Sequence, residues 1–396
     1  MSFLSGTLSR RTKRMFGRYL SDATDLVTRP LRRPSILLVG GKAPAEKISD
    51  IEGRLQYISA HLDRKLNLVR VEKATAIDYV RYAGVASADS AAIPAFVRRR
   101  LRWVVDLDHE TNHLDGWNLI NLGAAISRTP SRKTLSEARR TFAAHIDQLK
   151  KDGPRPVYLF GTGPSLSLAP QRSFDDGITI VCNTIVRDRA LWHHLAPAFL
   201  VAGDPIYHFG HTPHARAFRA DALERLRESN GNALFIYPSQ FDYIVRSEFE
   251  SVRDLLIPIP LGAHSDITVD LTRRFSLPPL SNVLTAMLLP VGCTLSNDLC
   301  LWGFDGRAPS DSGFWSNSTV QSYPELMQAM RDAHPAFFAY NVPEGNEIQY
   351  VAKVHGDLLD ESLRDAESRG FRFRMLHRSW TPTFQKRYSE DTLVGD

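Results

Sequence analysis

The chain has 396 residues, of which 43% are apolar and 23% charged, and carries a formal net charge of +5. These proportions exclude an intrinsically disordered chain and leave room for two domains, or for one with a long extension. With no long basic stripe in the main body, so modest a charge gives no footprint for nucleic acid.

The charge gathers at the start, in a basic tail spanning residues 1–34. Arg10, Arg11, Lys13, Arg14, Arg18, Arg29, Arg32 and Arg33 stand there against only Asp22 and Asp25. Phe3, Leu4, Leu8, Met15, Phe16, Tyr19 and Leu20 are interleaved with them, spaced roughly as one helical face. Residues 1–33 therefore read either as a helix lying on an anionic membrane surface or as a solvated basic tail. No apolar run approaches the roughly 20 residues of a spanning helix, and no signal-peptide core is present. Cys182, Cys293 and Cys300 sit in apolar stretches without metal-like spacing, as small core residues in a reducing compartment. The expected location is cytoplasmic, peripheral at the inner membrane face if the tail binds there.

Residues 35–150 read as an accessory α/β or helical region. "SILLVGG" (35–41) predicts a short buried strand and turn, and "TLSEARRTFAAHIDQLKKDG" predicts a helix from about Thr134 to Lys151, stopped at Gly153. No chemistry attaches to this region from its sequence. Residues 151–396 change character. "PVYLFG", "ITIVCNT", "PAFLVAGD", "ALFIYP", "LLIPIP", "DLCLWGFDG" and "FRFRML" predict strands; "DALERLRES", "SNVLTAMLLPVGC" and "LLDESLRDAESRG" predict helices between them. This alternation predicts an α/β fold with a doubly wound, mainly parallel sheet of Rossmann type. Ligands of such sheets lie beyond the carboxyl ends of the strands.

The predicted strand ends are rich in polar and small residues: Gly161-Thr162-Gly163-Pro164-Ser165, Asn183, Asp204, and Gly303-Phe304-Asp305-Gly306-Arg307. Glycines admit close backbone approach, turn N–H groups can hold phosphate, and Asn offers a donor and an acceptor to a base or ribose. A nicotinamide cofactor is disfavoured, because Gly161-x-Gly163 lacks the third glycine and Asn183 stands where an acidic residue would follow. The lysine-bearing phosphate loop of nucleotide kinases is absent as well.

"FGTGPSL", then "VCN", then "SNVLTAMLLPVGCTLSNDLCLWGFDG" together resemble the bacterial sialyltransferases that use CMP-activated sugar. The resemblance spans roughly residues 156–380 and extends to Kdo transferases, flagellin-modifying motility accessory factors and archaeal-type pterin pyrophosphokinases. It implies the single-domain sialyltransferase fold, a CMP-linked donor, and a nucleotide facing Gly161, Gly163, Pro164, Ser165, Asn183, Ser281, Gly303, Phe304 and Asp305; Thr162, Asp204 and Asn282, which stand beside these, are expected as further contacts to it. Thr162 replaces the family's asparagine, and Asn282 replaces a glycine. The tyrosine pair that steadies the leaving phosphate has no counterpart, so Arg307 is expected to act there by charge.

His355 precedes a predicted last helix and strand, as the catalytic histidine does in those enzymes, and is the expected general base. It also reads as a plain helix-start residue, with Asp204 and Asp305 as alternative bases. His208, His211 and His214 read as a polar loop near acceptor or phosphate, with no metal expected. A lid is expected over about 308–350, in which Trp315, Tyr323 and His334 either meet the acceptor or pack on the core. The expected function is metal-independent transfer of an acidic sugar, Kdo or a sialic-acid-like ulosonic acid, from a CMP donor to a glycan or glycolipid acceptor in surface polysaccharide synthesis. No cofactor is implied beyond that donor substrate. The alternatives are a pterin-type pyrophosphokinase using ATP and Mg²⁺, and a non-catalytic nucleotide-binding scaffold.

Overall fold

The computed structural model describes residues 32–264, 266–279, 282–306, 323–341 and 358–389. The basic tail through residue 31, Ser281, Arg307, Trp315 and His355 lie outside the described residues. The chain divides into two compact units, Met1–Arg128 and Thr129–Asp396.

The smaller unit holds four parallel strands: β1 (Arg33–Val39), β2 (Asn67–Val71), β3 (Tyr82–Ser87) and β4 (Val104–Asp106), in the order β2-β1-β3-β4. The predicted "SILLVGG" strand is its centre; Leu37, Leu38 and Val39 are fully buried. β2 and β3 escape sequence reading for different reasons. β2 is only half-buried. In β3 the small residues of "YAGVAS" leave space for a helix: a Cβ on Gly84 would stand 2.8 Å from Leu122 of the helix Asp115–Ser127.

The larger unit holds seven parallel strands, all foreseen from the sequence. They are β5 (Val157–Phe160), β6 (Ile178–Cys182), β7 (Phe199–Val201), β8 (Leu234–Pro238), β9 (Leu256–Ile259), β10 (Asp298–Trp302) and β11 (Arg372–Met375). Their order is β11-β10-β5-β6-β7-β8-β9. Every residue of β5, β6, β7, β8 and β9 is buried, because a parallel sheet has helices over both faces. That is why these strands read as continuous apolar runs without alternation. The edges carry the exceptions. Pro258 is tolerated in β9, where the missing N–H faces no further strand. In β11, Arg372 and Arg374 both reach Asp298 of β10, with Nη2 to Oδ2 distances of 2.9 and 3.0 Å, which charges the opposite edge.

The predicted helix near 134–151 spans Arg132–Leu149, is capped by Ser131 Oγ accepting from the Thr134 N–H, and belongs to the larger unit. It inserts Phe142 and Ile146 into the sheet's main core. "SNVLTAMLLPVGC" opens as a π-helical turn, Leu284–Leu288, and continues as the helix Leu289–Leu295. Cys182, Cys293 and Cys300 are buried free thiols, and burial pushes Cys293 up to about 12.

Beneath the smaller sheet's carboxyl ends, Lys47 is buried against Asp108 and donates to Glu110 at 2.7 Å. Burial alone would lower the ammonium's pKa, but its bonds to Asp108 and Glu110 outweigh that and raise it. Asp108 is held below the usual carboxylate range by the same pair, against its own desolvation. Lys47→Met keeps the aliphatic stem and strands the buried Asp108 carboxylate, so it is expected to cost roughly 3–5 kcal/mol. The check is hydrogen exchange of the β1 and β3 amides. Unchanged protection would mean that the pair does not hold this unit together.

Candidate functional site

From β5 the chain runs outward in one direction through β6, β7, β8 and β9, then returns to lay β10 on the other side of β5. The gap between β5 and β10 is therefore the topological switch point, where a doubly wound sheet opens a crevice. Two of the sequence's signature turns leave their strands there, one on each side.

They meet closely. The Gly161 N–H donates to the Trp302 carbonyl at 2.8 Å, and the Gly163 N–H to the Gly303 carbonyl at 2.8 Å. Asp305 accepts from the Ser165 N–H at 3.1 Å and from Ser165 Oγ at 2.9 Å. Trp302 Nε1 donates in turn to the Ser165 carbonyl at 2.9 Å. A Cβ on Gly161 would lie 2.5 Å from the Gly303 carbonyl oxygen, so no side chain fits there. Gly303, at φ +78°, takes a backbone conformation that only glycine adopts freely.

This corrects one expectation. The N–H groups of Gly161, Gly163 and Ser165, expected to point outward at a phosphate, instead donate to the neighbouring loop. The carboxylate of Asp305 occupies the start of the 3₁₀ helix Pro164–Gln171, the place where an anion would otherwise sit. Phe304 is half-buried, with its ring packed against the main core and 6.1 Å from that of Phe384. Asn282 turns its side chain to its own helix, where Oδ1 accepts from the Leu284 N–H at 2.8 Å. Pro164 is exposed in the first turn of the 3₁₀ helix, and Thr162 is half-buried beside it.

Asn183 and Asp204 retain features of ligand-facing groups. Asn183, directly after β6, has φ +52°, an uncommon conformation for any residue but glycine. Its Oδ1 is buried without a hydrogen-bond partner among the described residues. A buried acceptor left unsatisfied costs about 1–3 kcal/mol, so two costs coincide at one strand end. Asp204, three residues after β7 ends, is pushed up to about 6 by desolvation, against the Ile206 and Tyr207 N–H groups that donate to its Oδ1 at 2.7 Å each. Asp305 is raised as well, through desolvation that outweighs its bonds from Ser165. Carboxylates held against their solvation are a mark of functional sites.

The histidines divide differently from expectation. His208 and His214 are buried, not part of an open polar loop. His208 Nδ1 accepts from the Asp204 N–H at 3.1 Å, and His214 Nδ1 lies 2.9 Å from the Tyr207 carbonyl. Burial lowers both, His208 strongly. Tyr323 and His334, named for the lid, are buried too. Tyr323 donates to Asp221, and the helices Met327–Ala333 and Pro335–Asn341 pack Met330 and Phe338 on Ile206.

One group was missed. After β11, His377, Ser379 and Trp380 close over the same crevice: the His377 ring lies 3.9 Å from that of Trp302, and Ser379 Oγ donates to the Phe304 carbonyl at 2.7 Å. The rule that inspects residues after each strand would have found "HRSW" had it been carried one strand further. A groove of about 780 Å³ lies elsewhere, in the smaller unit beside β4, lined among others by Arg98, Arg99, Arg102, Asn118 and Asn121. It contains none of the switch-point residues, and the strand-end geometry locates the candidate site better than cavity size does.

No protein-family model matches the sequence, and no curated protein matches it. Among solved structures, a protein of Clostridium difficile 630 described as a "putative phosphosugar isomerase" aligns with 72% of this chain and 89% of its own. The identity is 12% and the TM-score 0.17. A superposition that poor carries no argument.

Asp204 gives a signed prediction. Its folded-state value of about 6 lies above the ordinary 3.8, so the folded state binds the proton more tightly. Stability from this group falls as pH rises through that window, and the full penalty, roughly 3 kcal/mol at most, stands above it. Asp204→Asn keeps an Oδ1 acceptor and removes the charge. The variant should therefore melt higher than the parent at pH 7.5, and the gap should close toward pH 4. A variant less stable at pH 7.5 would show that the charge is compensated.

Proposed function

We propose that the larger unit is a glycosyltransferase whose donor is a CMP-linked acidic sugar, Kdo or a sialic-acid-like ulosonic acid. The observation that carries this reading is the meeting of the two turns on which the CMP-sugar transferase resemblance rests. Gly161–Ser165 and Gly303–Asp305 are about 140 residues apart in sequence and are bonded together at the switch point. Asn183, with its unspent acceptor, stands on the next strand over.

In this reading Asn183 Oδ1 accepts from the cytosine amino group or a ribose hydroxyl, and Asp204, beyond the end of β7, takes a second hydroxyl. Asp305 is a positioning group, because its carboxylate is bound by Ser165. Such a donor already carries a good leaving group, so catalysis needs placement, stabilisation of the departing phosphate and one proton acceptor. The turn N–H groups are engaged within the protein. Phosphate stabilisation therefore falls to side chains, and Arg307 is the proposed cation. His355 is the proposed base. The acceptor is a glycan or glycolipid, and the basic tail is the proposed contact with an anionic membrane.

Two experiments test this. A thermal-shift panel should show stabilisation by CMP exceeding that by AMP, UMP or NAD, and Asn183→Ala should weaken CMP about 5- to 10-fold, the worth of one hydrogen bond. Preference for ATP with Mg²⁺, and AMP release with a pterin, would replace the proposal by a pyrophosphokinase. CMP binding without turnover on any acceptor would leave a scaffold.

His355→Ala should keep CMP affinity and lose about 10²- to 10⁴-fold in turnover. The rise of rate with pH through the histidine range should vanish with it. Near-normal turnover in that variant would return the role of base to Asp204 or Asp305.

A further inference from the structure

Trp380 is 56% exposed. A single exposed apolar side chain is ordinary on a protein surface. Trp380 differs in how firmly its backbone is held. Its N–H donates to the Asp305 carbonyl at 2.6 Å. Ser379 Oγ, already bonded to the Phe304 carbonyl, accepts from the Thr381 N–H at 3.1 Å. On the other side Gly306, at φ +71°, is so close that a Cβ there would stand 2.9 Å from the Thr381 nitrogen. The loop after β11 is thus bolted to the loop after β10, yet its largest apolar side chain is left in solvent. Display of an indole from a fixed backbone is the arrangement that binds a flat apolar surface at low entropic cost.

Arg378, two residues earlier, is exposed as well. Its guanidinium lies 5.6 Å from the Tyr388 ring centroid, and no carboxylate pairs with it among the described residues. One anchored loop therefore offers an aromatic face and a cation that stacks on Tyr388 and has no carboxylate partner among the described residues. The ligand class that matches both is a pyranose ring bearing a carboxylate: ring C–H groups against the indole, carboxylate against the guanidinium. Position agrees. From β6, where Asn183 stands, to β11 is three strand spacings, about 14 Å, the reach of a nucleotide with one sugar attached.

We propose that Arg378–Trp380 is the subsite for the acidic sugar of the donor. This rests on the nucleotide–sugar reading above for the word donor, but not for the sugar itself. The test measures CMP and CMP-N-acetylneuraminate affinity by calorimetry in the parent, Trp380→Ala, Trp380→Phe and Arg378→Gln. It adds saturation-transfer NMR of free N-acetylneuraminate with glucose as control. CMP affinity should stay within about twofold throughout, whereas the CMP-sugar should weaken about tenfold in Trp380→Ala and recover in part in Trp380→Phe. Arg378→Gln should lose a similar factor for the carboxylated sugar. If Trp380→Ala does not fold, Arg378→Gln and Trp380→Phe carry the comparison. Failure of CMP to bind the parent would remove the nucleotide reading, and saturation transfer to the free acidic sugar, lost in the variants, would still uphold the subsite. Parent-like binding of the acidic sugar and of the CMP-sugar in both Trp380→Ala and Arg378→Gln would overturn it.

Discussion

The larger unit depends on a contact between two turns that have no room for side chains. Gly161 and Gly303 approach so closely that each bars a Cβ on the other. Their N–H and carbonyl groups extend the β5–β10 ladder one step beyond the strands themselves. With that step made, Ser165 comes within reach of Asp305, Trp302 reaches the Ser165 carbonyl, and the β11 loop is tied to the Phe304 and Asp305 carbonyls. Three strand-end loops become one rigid rim. Larger residues at these glycines would separate the loops and undo every later bond in the series.

The rim also explains the electrostatics. A carboxylate placed at a helix start and given two donors by one serine would ordinarily titrate low. Asp305 is raised instead, because desolvation exceeds what Ser165 supplies. Asp204 is further displaced for the same reason, with only two backbone donors on one oxygen. Lys47 and Asp108 in the smaller unit show the opposite balance: there each buried charge has its counterion, and the pair reads as structural. The raised carboxylates beyond the ends of β7 and β10, with an asparagine of positive φ after β6 between them, lack such counterions in the bonds that hold them.

Legibility in the sequence followed burial. All seven strands of the larger sheet were readable, because strands covered on both faces become short apolar runs with polar punctuation. Their order was not readable; it arises from which edges the helices leave open. Asn183 and Asp204 were found by inspecting strand ends. What misled was treating the glycine turn in isolation. Its free N–H groups looked ready for phosphate, but their partners lie some 140 residues away, and no local pattern records a tertiary hydrogen bond. His208 and His214 misled in a similar way: histidine and glycine mixed with aromatics looks like an exposed loop until Phe209, Phe218 and Phe241 draw it into the core.

In many doubly wound folds the turn after the first strand offers its N–H groups outward, and the glycines exist for the ligand's sake. Here the glycines exist for the neighbouring loop's sake, and an internal carboxylate already fills the anion position. An incoming phosphate would face Asp305 before it met a positive dipole. The site therefore needs cations from side chains, or a ligand whose negative charge sits away from the turn. In the proposed donor both conditions apply in part: a sugar carboxylate at the proposed Arg378 subsite, on the far side of β10, would keep one negative charge off the crest that Asp305 occupies, while the phosphate would still need a side-chain cation. The glycine turn, on this account, is the hinge pin of the site and not its cradle.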